Sequence, residues 1–129
     1  MNREQGLKNR YRQNIGKWGE SAAAQFLERQ GCAVIAVNVR TLEGEIDLIV
    51  ELNGELRFVE VKTRTTAGFG NPEESITRTK FEHMSRAAER YLVDHDQASG
   101  TWHLDVIAIN GKPGTDDMKF EWFKDVEIA

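Results

Sequence analysis

Asp47, Glu60 and Lys62 are the residues of this 129-residue chain whose types and spacing best suit a reaction. The runs EIDLIVEL at 45–52 and ELRFVEVKTR at 55–64 flank Asn53-Gly54, a strong signal for a two-residue hairpin loop. Such a loop pairs Leu52 with Glu55. Counting back from there predicts Asp47 opposite Glu60 and Glu45 opposite Lys62, all four on one face of the sheet. The other face is predicted to carry Ile46, Leu48 and Val50 with Val59 and Val61. Like charges placed opposite each other are destabilising, so the Asp47/Glu60 pair needs solvent, a shared proton or a cation. A cation is the most economical of the three. Two carboxylates with positions open to water suit a hard ion, Mg²⁺ or Mn²⁺, which also accepts phosphate oxygens. Lys62 can then orient an attacking water, help to deprotonate it, or stabilise charge developing on a phosphoryl group. Phe58 and Ile49 fall on the acidic face and imply that it is partly covered, which weighs against a merely solvated hairpin.

These residues need elements to hold them. Residues 1–13 show no sustained periodicity and are expected to form a basic flexible tail, with a single domain over 14–129. Ile15, Trp18, Ala22, Phe26 and Leu27 recur at helical spacing, so a helix is predicted from Ile15 to Gln30, ended by Gly31. Glu20 lies at the edge of that apolar stripe, where it can add a metal ligand or hold a water. Strands follow at 32–40, 45–52 and 55–64. After a Gly/Pro-punctuated loop, a second helix is predicted from Ser75 to about His95, then strands at 102–109 and 118–128. The order αβββαββ indicates one α/β domain, a mixed β-sheet flanked by helices.

Composition narrows the chemistry. Cys32 is the only cysteine, which excludes internal disulfides and paired-cysteine zinc sites and suggests a small core residue. No HExxH, GxxxxGK[ST] or GxGxxG pattern occurs. No apolar run approaches the ~20 residues of a membrane helix, and the charged N-terminus lacks a secretory core, so a cytoplasmic location without membrane association is expected. The formal net charge is −4, but residues 1–19 carry five Lys/Arg against one acid. That basic head can face a polyanion.

The succession Asp47, twelve intervening residues, then Glu60-Val61-Lys62 resembles the PD-(D/E)xK nuclease signature of the restriction-endonuclease-like superfamily. Glu20 on a preceding helix is similar to the arrangement in archaeal Holliday-junction resolvases. GxxGE at 16–20, GEIDLI at 44–49, FVEVKTR at 58–64, FGxP at 69–72 and LDV at 104–106 together resemble the bacterial YraN-type family of uncharacterised proteins. Ile46 stands where the literal PD motif has proline, and Leu104 where the YraN-type pattern usually has phenylalanine. The resemblance implies a restriction-endonuclease-like core and a metal-dependent phosphodiesterase site. In that site Asp47 and Glu60 are metal ligands, Lys62 stands beside the attacking water, and Glu20 is an accessory acid.

Around this set, Glu45 is expected to hold Lys62 in place rather than bind a second metal. Thr63, Arg64 and Lys80 are candidates for phosphate contacts, against a reading as solvated surface. Phe69 can stack a base or fold onto the core. Asp105 is expected to be a buried, hydrogen-bonded structural acid, the three histidines to be incidental, and Trp18, Trp102 and Trp122 to serve the core. The leading expectation is an Mg²⁺- or Mn²⁺-dependent nuclease acting on nucleic acid, DNA in particular and branched or structured DNA among its substrates. The alternative is a nucleic-acid-binding module with weak or no independent catalysis. A homodimer would match the two strands of a duplex.

Overall fold

A computed structural model describes residues 3–64, 77–96, 100–111 and 115–127, with side chains from residue 16 onward. The elements are α1 (Arg3–Arg29), β1 (Ala33–Thr41), β2 (Gly44–Leu52), β3 (Glu55–Arg64), α2 (Arg78–Asp94), β4 (Trp102–Asn110) and β5 (Lys119–Phe123). The strands form one sheet in the order β1-β2-β3-β4-β5, parallel between β3 and β4 and antiparallel elsewhere. The predicted element order and mixed sheet are therefore found. α2 lies in the crossover that parallel neighbours require. The FGxP segment, including Phe69, falls outside the described residues.

Each helix covers its own part of the core. α2 buries Met84, Ala87, Ala88, Tyr91 and Leu92, spaced as one helical face, against Ile46, Ile49, Phe58 and Leu104. Phe58 is fully buried and meets Tyr91 and Trp102 edge-on. α1 packs Ala23 and Leu27 with Cys32, Leu48, Val50, Val59, Ile107 and Ile109. Cys32 is thus a free, buried core residue. Trp18 and Trp122 pack against the α1 cluster and Trp102 against the α2 cluster, all three only partly buried.

α1 begins at Arg3, so the segment expected as a tail is helical. That stretch lacks an apolar stripe, and periodicity is silent about it. Its Arg, Gln, Lys and Glu are good helix formers, and a helix already nucleated by packing extends through such residues at little cost. The last strand, β5, is shorter than expected and stops at Phe123.

Asp105 is the structural acid the sequence suggests. It is completely buried on β4 and accepts from Arg57 Nη1 at 3.1 Å, Trp122 Nε1 at 2.9 Å and the Asp125 backbone N–H at 2.9 Å. His103 corrects the expectation that histidines are incidental. Its Nε2 faces Glu55 Oε2 and its Nδ1 faces Asp125 Oδ1. Both nitrogens must carry protons to satisfy two carboxylates, so the bridge is made by the imidazolium form. Burial alone would lower the ring's pKa, but hydrogen bonds to Glu55 and Asp125 outweigh it and raise the value above normal. The network ties β3, β4 and the chain beyond β5 together.

Candidate functional site

The acids sit where β2 and β3 separate. Asn53 and Gly54 both adopt positive φ, as a tight hairpin turn requires, and the predicted register holds from Leu52↔Glu55 to Leu48↔Val59. The ladder stops there, so Asp47 and Glu60 are not a paired position as expected. Instead Asp47 Oδ2 accepts the Val61 backbone N–H at 2.9 Å, the side chain taking the place of a strand partner. The neighbouring β1 strand shows the matching irregularity. Asn38, which the β1/β2 register sets against Asp47, has φ 51°. A regular strand cannot put residues three apart on one face, yet Ile46 and Ile49 share the α2 cluster. The expectation that Ile46 joins Leu48 and Val50 is thereby corrected. At the divergence Asp47 and Glu60 line a small pocket together with Ile46, Phe58 and Met84.

Electrostatics show how crowded the site is. Burial, Glu60 and Glu20 raise the Asp47 pKa to about 7 despite the opposing Val61 hydrogen bond. Glu20 is raised by burial, then by Glu45 and Glu60. Lys62 Nζ stands 3.8 Å from Glu60 Oε1, while Lys80 Nζ reaches the same oxygen at 2.7 Å. Burial and the neighbouring Lys80 lower the pKa of Lys62. For Lys80, burial works downward, but the hydrogen bond to Glu60 prevails and the pKa is raised.

The raised Asp47 pKa has a definite sign in stability. A carboxyl whose folded pKa exceeds its unfolded value stabilises the fold fully below the unfolded pKa and loses that contribution as pH rises through the folded one. Relative to Asp47→Asn, the protein without divalent cations is expected to lose a few kcal/mol between about pH 4 and pH 7. Denaturant titrations of both proteins across that window check it. The His103 bridge is common to both and cancels in the comparison.

Glu20 is delivered by a close approach of α1 to β3. A Cβ added at Gly19 would lie 2.3 Å from Thr63 Cγ2 and 3.6 Å from Val61 Cγ1. Thr63 is stiff at χ1 and cannot yield cheaply. Gly19→Ala is therefore expected to destabilise by about 1–3 kcal/mol, more than the ~1 kcal/mol gained in helix propensity. Thr63→Ser, which removes the clashing methyl, should restore most of the loss in a double-mutant denaturation series.

The other predicted site residues divide. Lys80 comes to the acids, although sequence spacing offers only a general phosphate contact for it. The signal is topological: a crossover after β3 starts α2 near the end of β3 that carries the acids. Thr63 packs its methyl against α1, and Arg64 is half-buried at the end of β3, where its carbonyl accepts from Gly111 N–H. The Glu45/Lys62 pairing is overturned. Glu45 pairs with Arg40 on the adjacent β1 strand, Nε to Oε1 3.2 Å, and both side chains are exposed. The β2/β3 ladder ends at Leu48↔Val59, before the register position on which the predicted Glu45/Lys62 pairing depends. Among the described residues no three of His, Cys, Asp and Glu converge as a complete metal-binding group. Both Glu60 and Glu20 push the Asp47 pKa upward, Glu60 more strongly.

The model of the Uncharacterised protein family UPF0102 matches residues 19–109, a span that runs from the α1/β3 approach through the acids to the end of β4. The chain belongs to that family. Its relatives include UPF0102 proteins of Desulfosudis oleivorans, 40% identical over 107 residues (83% of this chain and 87% of the relative), and Roseiflexus castenholzii, 43% over 100 residues (77% and 81%). The protein of Solibacter usitatus is 38% identical over 121 residues, covering 91% of this chain and 88% of its own. UPF0102 is the family that the YraN-type motif succession suggested. No helix among the described residues is long and apolar enough to cross a membrane.

Proposed function

We propose that this UPF0102 protein is a metal-dependent phosphodiesterase that hydrolyses nucleic acid, DNA foremost. The observation that carries the reading is the Asp47/Glu60 pair at the β2/β3 divergence, with two lysines beside it. Two oxygen donors in mutual repulsion fit a hard divalent cation, Mg²⁺ or Mn²⁺. Such ions commonly take one or two protein carboxylates and fill their remaining positions with water and phosphate oxygens, so the absence of a third converging acid among the described residues is compatible with the fit. When bound, the cation supplies a Lewis-acid charge for phosphoryl transfer.

The chain's own groups do the rest. Val61 N–H fixes the Asp47 carboxylate in place. Lys62, its pKa lowered, exchanges a proton more readily than a solvated lysine and can donate to a developing phosphoryl oxyanion. Glu20 holds a water at the outer edge of the acids. The basic first part of α1 runs continuously into this edge and supplies positive charge for a polyanion.

Incubation with branched, flapped and single-stranded DNA in Mg²⁺ or Mn²⁺ is expected to give cleavage that chelation stops. Salt-sensitive binding without turnover under either metal would favour a binding module instead, and neither binding nor cleavage would contradict both. A homodimer would bring two such sites to a duplex, and the sedimentation of protein with DNA tests that arrangement.

A further inference from the structure

α2 also brings a charge to the acids. Thr77 caps the helix, its hydroxyl oxygen accepting the Lys80 backbone N–H at 3.1 Å, which fixes Lys80 in the first turn. That turn contains no acidic residue, while Arg78 and Lys80 are both cationic. A helix N-terminus carries partial positive charge, so cations there are unfavourable for the helix itself. The arrangement must be compensated outside α2, and the compensation is visible. Lys80 Nζ lies 2.7 Å from Glu60 Oε1, closer than Lys62, and the Glu60 side chain is only 13% exposed. A compact ammonium thus occupies one oxygen of a carboxylate that a divalent cation would need.

Resting on the metal-site reading above, we propose that Lys80 is a resident counter-ion of Glu60, which yields that carboxylate when a divalent cation binds and thereby sets the site's metal affinity. Two cations cannot share Oε1 without repulsion. Metal binding therefore includes the cost of moving Lys80 away, and a neutral side chain at position 80 removes that cost. A purely structural ion pair predicts the reverse, because loss of Lys80 would loosen Glu60 and weaken binding.

Calorimetric titration of the full chain with Mn²⁺ at low ionic strength separates the two. Lys80→Met keeps the apolar stem, and Lys80→Gln is a second neutral variant should one side chain pack poorly. Both are expected to bind Mn²⁺ about 10-fold more tightly than wild type, the direct repulsion being large but tempered by partial exposure. Lys80→Arg and Arg78→Met, which retain the contacting cation, should stay within about threefold. If wild type binds Mn²⁺ and Glu60→Gln abolishes the heat, yet neither neutral variant exceeds Arg78→Met, the counter-ion role is overturned and the metal site stands. Absence of a site-specific heat in every variant overturns the metal site and this inference with it.

Discussion

Glu60→Gln and Asp47→Asn are each expected to lower metal-dependent DNA cleavage at least about 100-fold, the scale on which removing a single electrostatic contributor acts. Both substitutions keep shape and remove a charge. In Asp47→Asn the amide oxygen can still accept the Val61 N–H, so the β2/β3 junction should survive. Stability is expected to move in the opposite direction from activity for Asp47→Asn, because the substitution removes the burial of a charge and the repulsion from Glu60 that together raise the Asp47 pKa. Glu60→Gln behaves differently, since it also deprives Lys80 and Lys62 of their carboxylate. Cleavage rates with denaturant titrations on the same preparations check both directions. Loss of activity with unchanged or raised stability marks a functional pair, whereas loss of both in Asp47→Asn would indicate a structural acid.

Asp105→Ala is expected to cost about 3–5 kcal/mol, the range for breaking a buried ion pair by removing one partner. Arg57 is only 12% exposed, and its remaining carboxylate, Asp125, is 3.8 Å away. Among the described residues its Nε already lacks a hydrogen-bond partner, so the guanidinium has little further compensation there to draw on. Trp122 Nε1 and the Asp125 N–H would lose their acceptor in the same change. Against a typical total stability of about 5–15 kcal/mol, that loss is severe. Arg57→Met in the same background should recover much of it, since removing both charges avoids the unpaired one. The urea midpoints of the two single variants and the double variant give the coupling directly.

How far these features are legible in the sequence depends on whether local signals determine them. The hairpin register follows from Asn53-Gly54, because positive φ at two successive positions is a local demand that few residues meet. The two helices that pack on the sheet are readable from apolar spacing, and the first part of α1 is not, having no apolar stripe to betray it. The register prediction fails where Asn38 and Asp47 interrupt the pleat, a change that depends on the side chain of one strand bonding the backbone of another. The Glu45 expectation fails for the same reason. Lys80 and the Arg57/Asp105 network belong to a third kind. Their partners are 20 and 48 positions away in sequence, joined only by the crossover and the parallel β3/β4 pairing. Charge alone marks them, and charge alone does not name a partner.

Anomalous scattering from Mn²⁺ in crystals of the protein addresses the acid pair without reference to turnover or substrate. One peak is expected at the β2/β3 divergence, within about 2.2 Å of a carboxylate oxygen from each of Asp47 and Glu60, with Lys80 withdrawn from Glu60. Manganese bound to one of the two carboxylates alone, or no peak while Asp47 and Glu60 point away from each other, would contradict the shared site.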